Sequence, residues 1–149
     1  MEETKKGTVV VGGGFDPIHI GHIRHFKAAK ELGANLVVVL NNDNWLMNKK
    51  GYVFMLQEDR VEIIKAIRYV DDVVLTGHKV GDRDSSICNE LKTIMPEVYA
   101  NGGDRVAGNT PEAKLCEELG IRMVFGVGGG KVQSSSWLVD EVVKKIKEK

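Results

Sequence analysis

Two histidines, His19 and His22, follow three glycines, Gly12, Gly13 and Gly14, within the segment GGGFDPIHIGH at residues 12–22. A β-branched run precedes the glycines, and apolar residues at helical spacing begin at Ile20. Glycines between a strand and a helix let the backbone approach a ligand with no Cβ in the way, and the free N–H groups of the helix start favour a phosphate. Because they are three residues apart across that start, both imidazoles can face one ligand. So placed, they can donate hydrogen bonds to phosphoryl oxygens as charge develops in a transition state, which is electrostatic stabilisation rather than nucleophilic attack. The segment matches neither common phosphate loop. Pro17 stands where G-x-G-x-x-G needs its last glycine, and the Gly-Lys-Ser/Thr of a P-loop is absent. His25 extends the run to H-x-x-H-x-x-H, but on a helix the three would spread over about 120° and climb roughly 9 Å, too far for the outer pair to share a metal ion. No direct metal ligand is expected.

The elements that must position these residues are legible as short β-branched runs alternating with longer amphipathic stretches, the pattern of βαβ units and a parallel sheet. Strands are expected over 8–11, 36–40, 72–75, 97–100 and 122–125, and helices over 20–32, 57–69, 85–95, 111–119 and 134–147. Gly33 and Gly120 stand as helix ends, Thr110 and Pro111 as a helix start, and the lysines near 147 suit a helix C-terminus. The expected fold is α/β: a single Rossmann-like doubly wound domain, residues 1–149, with a five-stranded parallel sheet. In such sheets ligands bind beyond the carboxyl ends of the strands, at the switch in strand order. The loops 12–19, 41–56, 76–84, 101–109 and 126–133 are therefore the ones to inspect.

Those loops hold the remaining unusual residues. Lys49 and Lys50 sit in a polar stretch after the second strand, and Arg60 near the start of the next helix has a guanidinium suited to gripping a phosphate bidentately. No acid three or four residues away pairs with it on the helix. Asn101, Gly102, Gly103 and Asp104 follow the fourth strand as a polar glycine-rich loop, expected either as a plain turn or, from its position, as a contact to the ligand. Ser134, Ser135 and Ser136 open the last helix, where hydroxyls and backbone N–H groups together bind anions.

Composition narrows the partners. Lys plus Arg and Asp plus Glu number 21 each, so no global field recruits nucleic acid or a membrane, and any anion site must be local. The chain is 42% hydrophobic and 28% charged, as ordinary globular proteins are. Cys88 and Cys116 lack Cys-x-x-Cys spacing and read as reduced thiols of a cytoplasmic protein. Neither a signal peptide nor a membrane-length apolar run is expected.

GGFDPIHIGH resembles the G-x-F-D-x-x-H-x-G-H motif of the cytidylyltransferase-like nucleotidyltransferases, whose superfamily shares H-I-G-H with class I aminoacyl-tRNA synthetases. The resemblance extends over nearly the whole chain. It implies a five-stranded Rossmann-like sheet and contacts from Gly13, Gly14, Phe15, Asp16 and Gly21 around the phosphates, although Gly14 replaces the Thr or Cys of many relatives. It implies that Lys49 or Lys50 swings over the triphosphate and the acceptor phosphate, and that Arg60 fills the family's E-x-R position. NGGD, from Asn101 to Asp104, is closer to the GGD of heptose-1-phosphate adenylyltransferases than to the GDD of glycerol-3-phosphate cytidylyltransferases. Ser134–Ser136 resemble the I-S-T-T element that holds the β- and γ-phosphates, with Gln133 in place of the Ile. Lys131 is the candidate for the cation that the cytidylyltransferase form R-T-x-G-I-S-T carries there.

The expected activity is transfer of NMP from ATP or CTP to a phosphorylated small molecule, a sugar or polyol phosphate first, with release of pyrophosphate. His19, His22, Lys49 or Lys50, and Arg60 would be the catalytic groups, with Mg²⁺ carried on the triphosphate. The resemblance implies a homodimer. Two alternatives stand beside this reading: an adenylyltransferase acting on phosphopantetheine, nicotinamide mononucleotide or FMN, and a non-catalytic nucleotide-binding module. A tRNA synthetase fails on length, on the missing K-M-S-K-S-like loop and on the balanced charge.

Overall fold

The computed structural model describes residues 7–102 and 108–149. Five parallel strands, β1 (Thr8–Gly13), β2 (Asn35–Leu40), β3 (Asp72–Leu75), β4 (Val98–Ala100) and β5 (Arg122–Val124), form one sheet in the order β3-β2-β1-β4-β5. The order reverses at β1, so the switch point lies between β1 and β4, whose register pairs Val9 with Val98 and Val10 with Tyr99. The doubly wound α/β fold expected from the alternation of runs is the one found.

Strand periodicity divides the core between two faces. Val9 and Val11 point to one side with Leu36, Val38, Leu40 and Val98, while Val10, Val39 and Tyr99 point to the other. Helices α1 (Ile20–Lys30) and α3 (Gln57–Lys65) cover the first face with Phe26, Ala29 and Ile64. Helices α4 (Cys88–Ile94) and α5 (Pro111–Leu119) cover the second with Leu91 and Cys116. Burial on both faces is why β2 reads as an unbroken apolar run. Phe26 is fully buried, and side chains of this kind contribute about 1.5–3 kcal/mol each.

The helix ends follow local chemistry. Thr110 accepts the N–H of Ala113, Pro111 takes the first turn, and Gly120 closes α5 in a left-handed conformation at φ 73°. Three expectations are corrected. Gly33 does not cap α1, which ends at Lys30 with Glu31 at its cap. The helix expected over 57–69 stops at Lys65, although Ile67 and Tyr69 still pack on the core. The polar stretch 41–56 is no simple loop, since it contains α2 (Asp43–Lys50), capped by Asn42 through its bond from Trp45 N–H and ended by Gly51 at φ 82°.

The last helix, α6 (Ser135–Lys147), has none of its residues buried. No helix among the described residues is long and apolar enough to cross a membrane.

Candidate active site

A cleft of about 340 Å³ opens over the carboxyl ends of β1 and β4, at the switch point. One wall is the turn after β1 with the first two turns of α1. The other is formed by Ala100–Gly102, Val127–Gly130 and the start of α6. Its charged and titratable lining among the described residues is His19, His22, Arg24, His25 and Lys131, with no carboxylate, which suits an anionic ligand.

The two histidine rings are held by backbone N–H groups of the helix start. His19 caps α1, its Nδ1 accepting the N–H of Gly21 at 3.0 Å, and His22 Nδ1 accepts the N–H of His19 at 3.1 Å. With both Nδ1 atoms committed as acceptors, the neutral rings carry their protons on Nε2, where each can donate to a ligand. A Cβ on Gly21 would lie 2.9 Å from the His19 ring, so the glycine of H-I-G-H leaves room for this capping geometry. The Phe15 ring meets His22 edge-on at 4.8 Å and Phe26 at 5.2 Å, packing the imidazole from behind.

Burial sets the protonation state. It pushes the His22 imidazole down to about 3, and the nearby charges of His19, His25 and Lys50 act in the same direction. His19 is lowered by burial first and by Lys131 second. His25 is lowered by burial, against a bond to the Val127 carbonyl that raises it. His22 is therefore a neutral imidazole at neutral pH, with its proton on Nε2.

Across the cleft, Ser134 caps α6, its hydroxyl accepting the N–H of Trp137 at 3.3 Å. Ser135 donates to the Pro17 carbonyl at 2.7 Å, tying the start of α6 to the first loop. Lys131 reaches over the Trp137 ring at 4.7 Å. Gly13, Gly14, Phe15, Gly21 and Asn101 line the cleft, whereas Ser136 is exposed and outside it. Gly103 and Asp104 lie outside the described residues. In α2, Lys49 sits 5.9 Å over the Trp45 ring, while the charge of Lys50 is felt at His22. Neither lysine lines the cleft.

Arg60 and Asp16 are corrections. Arg60 is only 1% exposed, and its guanidinium donates to the carbonyls of Met55, Gly14 and Asn41 and to Asp43 Oδ1 at 2.6–2.8 Å. It is spent on holding the first loop against α2, and the acid that pairs with it comes from another helix. Asp16, also 1% exposed, accepts the N–H groups of Phe54 and Met55 at 2.6 Å. It anchors the segment between α2 and α3 and does not line the cleft.

The loops 41–56 and 76–84 bind one another rather than the cleft. Asn42 and Asn44 both donate to the His78 carbonyl, and Asn48 donates to that of Lys79. Gly14 belongs to this packing, since a Cβ there would lie 3.1 Å from Leu46 and 3.2 Å from Trp45. Conversely, Arg24 and Val127–Gly130 line the cleft without having been singled out as site residues, as does His25, which the sequence raised only for a metal. The glycine run GVGGG at 126–130 was the available signal, and Gly128, at φ 95° with His25 Cα 2.8 Å from any added Cβ, shows why it is needed.

The cytidylyltransferase-like family model matches residues 10–129. A protein named FAD synthase from Pyrococcus horikoshii is 44% identical over 70% of this chain and 68% of its own length. Another FAD synthase, from Thermococcus kodakarensis, is 42% identical over 79% of this chain and 74% of its own. The bifunctional protein HldE of Streptomyces coelicolor is 37% identical over 80% of this chain but only 25% of its own length. Among solved structures, a lipopolysaccharide core biosynthesis protein from Thermoplasma volcanium superposes with a TM-score of 0.64 at 28% identity, covering 79% of this chain and 93% of that one. With the switch-point cleft, the paired histidines and a family match over most of its length, the chain belongs to the cytidylyltransferase-like family of nucleotidyltransferases.

Proposed function

We propose that the protein is an adenylyltransferase that transfers AMP from ATP to the phosphate of FMN, releasing pyrophosphate. The observation that carries the transfer chemistry is the pair of Nε2–H donors of His19 and His22, set in the cleft opposite the Ser134–Ser135 helix start. The choice of ATP and FMN rests on the relatives named FAD synthase, at 41–44% identity for the Pyrococcus and Thermococcus kodakarensis proteins.

In this reaction an oxygen of the acceptor phosphate forms a bond to the α-phosphorus, and the bond from that phosphorus to the oxygen bridging to the β-phosphate breaks in line. His19 and His22 donate to the α-phosphoryl oxygens as negative charge gathers there. Lys131 and the N-terminus of α6 hold the β- and γ-phosphates, and Lys50, whose charge reaches His22, adds positive charge beside the reacting phosphate. Phe15 and the backbone bonds to both Nδ1 atoms keep the rings oriented before the substrate arrives, so little reorganisation accompanies the reaction. The imidazole, guanidinium and ammonium groups of the cleft suit phosphate oxygens rather than a hard cation, so Mg²⁺ would be held by the triphosphate and water. When bound, it neutralises triphosphate charge and orients the leaving group.

A sugar phosphate is the second acceptor, favoured by the likeness to the lipopolysaccharide core biosynthesis protein, which spans nearly all of that chain. A homodimer belongs to the proposal, with the exposed Val142, Val143 and Ile146 of α6 as an available contact face, and sedimentation would measure it. The function is tested by assaying pyrophosphate release with ATP and CTP against FMN, heptose 1-phosphate and glycerol 3-phosphate. Release with ATP and FMN, together with FAD formation, is expected. Nucleotide binding without release from any pair would instead establish a non-catalytic binding module.

A further inference from the structure

His25 lies one helical turn beyond His22 and has no part in the chemistry described above. Its Nδ1–H donates to the Val127 carbonyl at 2.8 Å, and Val127 in turn donates its N–H to the Asn101 carbonyl at 3.0 Å. Gly102 and Gly128 press on the ring and its backbone: a Cβ on Gly102 would lie 2.7 Å from Nδ1, and one on Gly128 would lie 2.8 Å from Cα. The imidazole is thus clamped between the turns after β4 and β5. Its other nitrogen, Nε2, has no hydrogen-bond partner among the described residues and is not a buried atom, and the residue lines the cleft. With Nδ1 committed to Val127, Nε2 is the ring nitrogen that this cleft-lining residue leaves without a partner among the described residues.

The position of this atom along the cleft determines what it meets. The phosphate-handling groups His19, His22, Lys131, Ser134 and Ser135 gather at the N-terminal end of α1. Beyond them, around His25, the wall is largely backbone: Ala100–Gly102 and Val127–Gly129. A nucleotide whose phosphates sit at the first end places its base at the second. There the Nδ1–H bond fixes the tautomer, leaving Nε2 a lone pair and no proton. Burial also disfavours the doubly protonated ring, so Nε2 remains an acceptor at neutral pH.

We propose that His25 determines base specificity, its Nε2 accepting a hydrogen bond from the exocyclic amino group of a 6-aminopurine and disfavouring a 6-oxopurine. This rests on the reading of the cleft as an NTP site. A 6-oxo group would set lone pair against lone pair. Turning Nε2 into a donor would require giving up the Val127 bond or charging a partly buried ring. A site built to receive a hydrogen bond discriminates strongly against the analogue that cannot supply it.

ATP and ITP are the informative probes, because they differ in the amino or oxo group at position 6 and the accompanying N1 proton. Calorimetric binding of each, without acceptor, is compared in the wild type, in His25→Phe, which keeps a planar ring against Gly102 and Gly128, and in His25→Gln, whose amide can donate or accept. The wild type is expected to prefer ATP by about tenfold or more, and both variants to narrow the ratio to within about threefold. A purely structural role would weaken ATP and ITP alike and leave the ratio intact, which would overturn the proposal. So would equal binding of the two by the wild type. If His25→Phe does not fold, as judged by thermal unfolding, the ratio in His25→Gln decides. Failure of the wild type to bind either nucleotide would overturn the NTP reading and this inference together, whereas binding without discrimination overturns this inference alone.

Discussion

The imidazoles of His19 and His22 stack with their centroids 3.7 Å apart and 25° between their planes, each ring fixed through Nδ1 by a backbone N–H of the same helix start. Two rings at this distance repel one another when protonated, so the arrangement itself selects the neutral pair, each with one proton on Nε2. The helix N-terminus adds to that preference, since its positive end disfavours imidazolium. The neutral rings can then serve as hydrogen-bond donors without first losing a proton.

Removing one of these donors should damage turnover far more than binding. His19→Ala is expected to lower kcat by about 10²–10³-fold, on the order of 2.7–4 kcal/mol, with a much smaller change in nucleotide affinity. Steady-state kinetics alongside calorimetry checks this. Unchanged turnover would remove His19 from the mechanism.

The depressed His22 imidazole makes stability depend on pH with a definite sign. It sits at about 3 in the folded chain against an ordinary value of 6.5, so between these values the unfolded chain binds a proton that the folded chain does not. The stability associated with the neutral ring is fully present above pH 6.5 and is lost as pH falls toward 3, by up to about 1.4 kcal/mol per pH unit. His19 and His25, also lowered, steepen the loss. Urea unfolding at pH 7, 6 and 5 should show the decline, and His22→Asn should make it shallower. An equal slope in the variant would refute this assignment.

Arg60 should prove structural. Arg60→Ala leaves the Gly14, Asn41 and Met55 carbonyls and the Asp43 carboxylate without their donor, and breaking a buried ion pair costs about 3–5 kcal/mol. A clear drop in unfolding free energy is expected, with the KM for ATP little changed in the protein that remains folded. A stable variant with a strongly raised KM would return Arg60 to the phosphates.

The two adjacent lysines should separate. Only Lys50 exerts its charge on His22, while Lys49 lies over Trp45. Lys50→Ala is expected to lower kcat/KM on the order of tenfold or more, through lost stabilisation of phosphate charge, and Lys49→Ala to change it little. The opposite ranking would assign the role to Lys49.

Much of the site was legible because its chemistry is local. A glycine turn, a histidine that caps its own helix and a serine helix start are satisfied within a few residues, so His19, Gly21, His22 and Ser134 could be read from spacing. Arg60 and Asp16 could not. A buried arginine and a phosphate-gripping arginine look alike in sequence, and what distinguishes them is the convergence of Gly14, Asn41, Met55 and Asp43 from separate segments. The polar stretch 41–56 misled for a related reason. Its asparagines carry a loop composition, yet α2 forms because Asn42, Asn44 and Asn48 find carbonyls on the facing turn 78–79.

By itself the sequence determined the alternation of strand and helix, the doubly wound class and the glycine turn that lines the cleft, because hydrophobic period, capping and glycine placement act over short distances. The tertiary structure alone decided which polar groups face the cleft and which are consumed in holding it together. Strand order β3-β2-β1-β4-β5 brings residues from 12–25, 100–102 and 127–135 to one place and turns 41–56 away from it. A side chain's role is set by the partners it meets, and for these residues the partners lie tens of residues away along the chain.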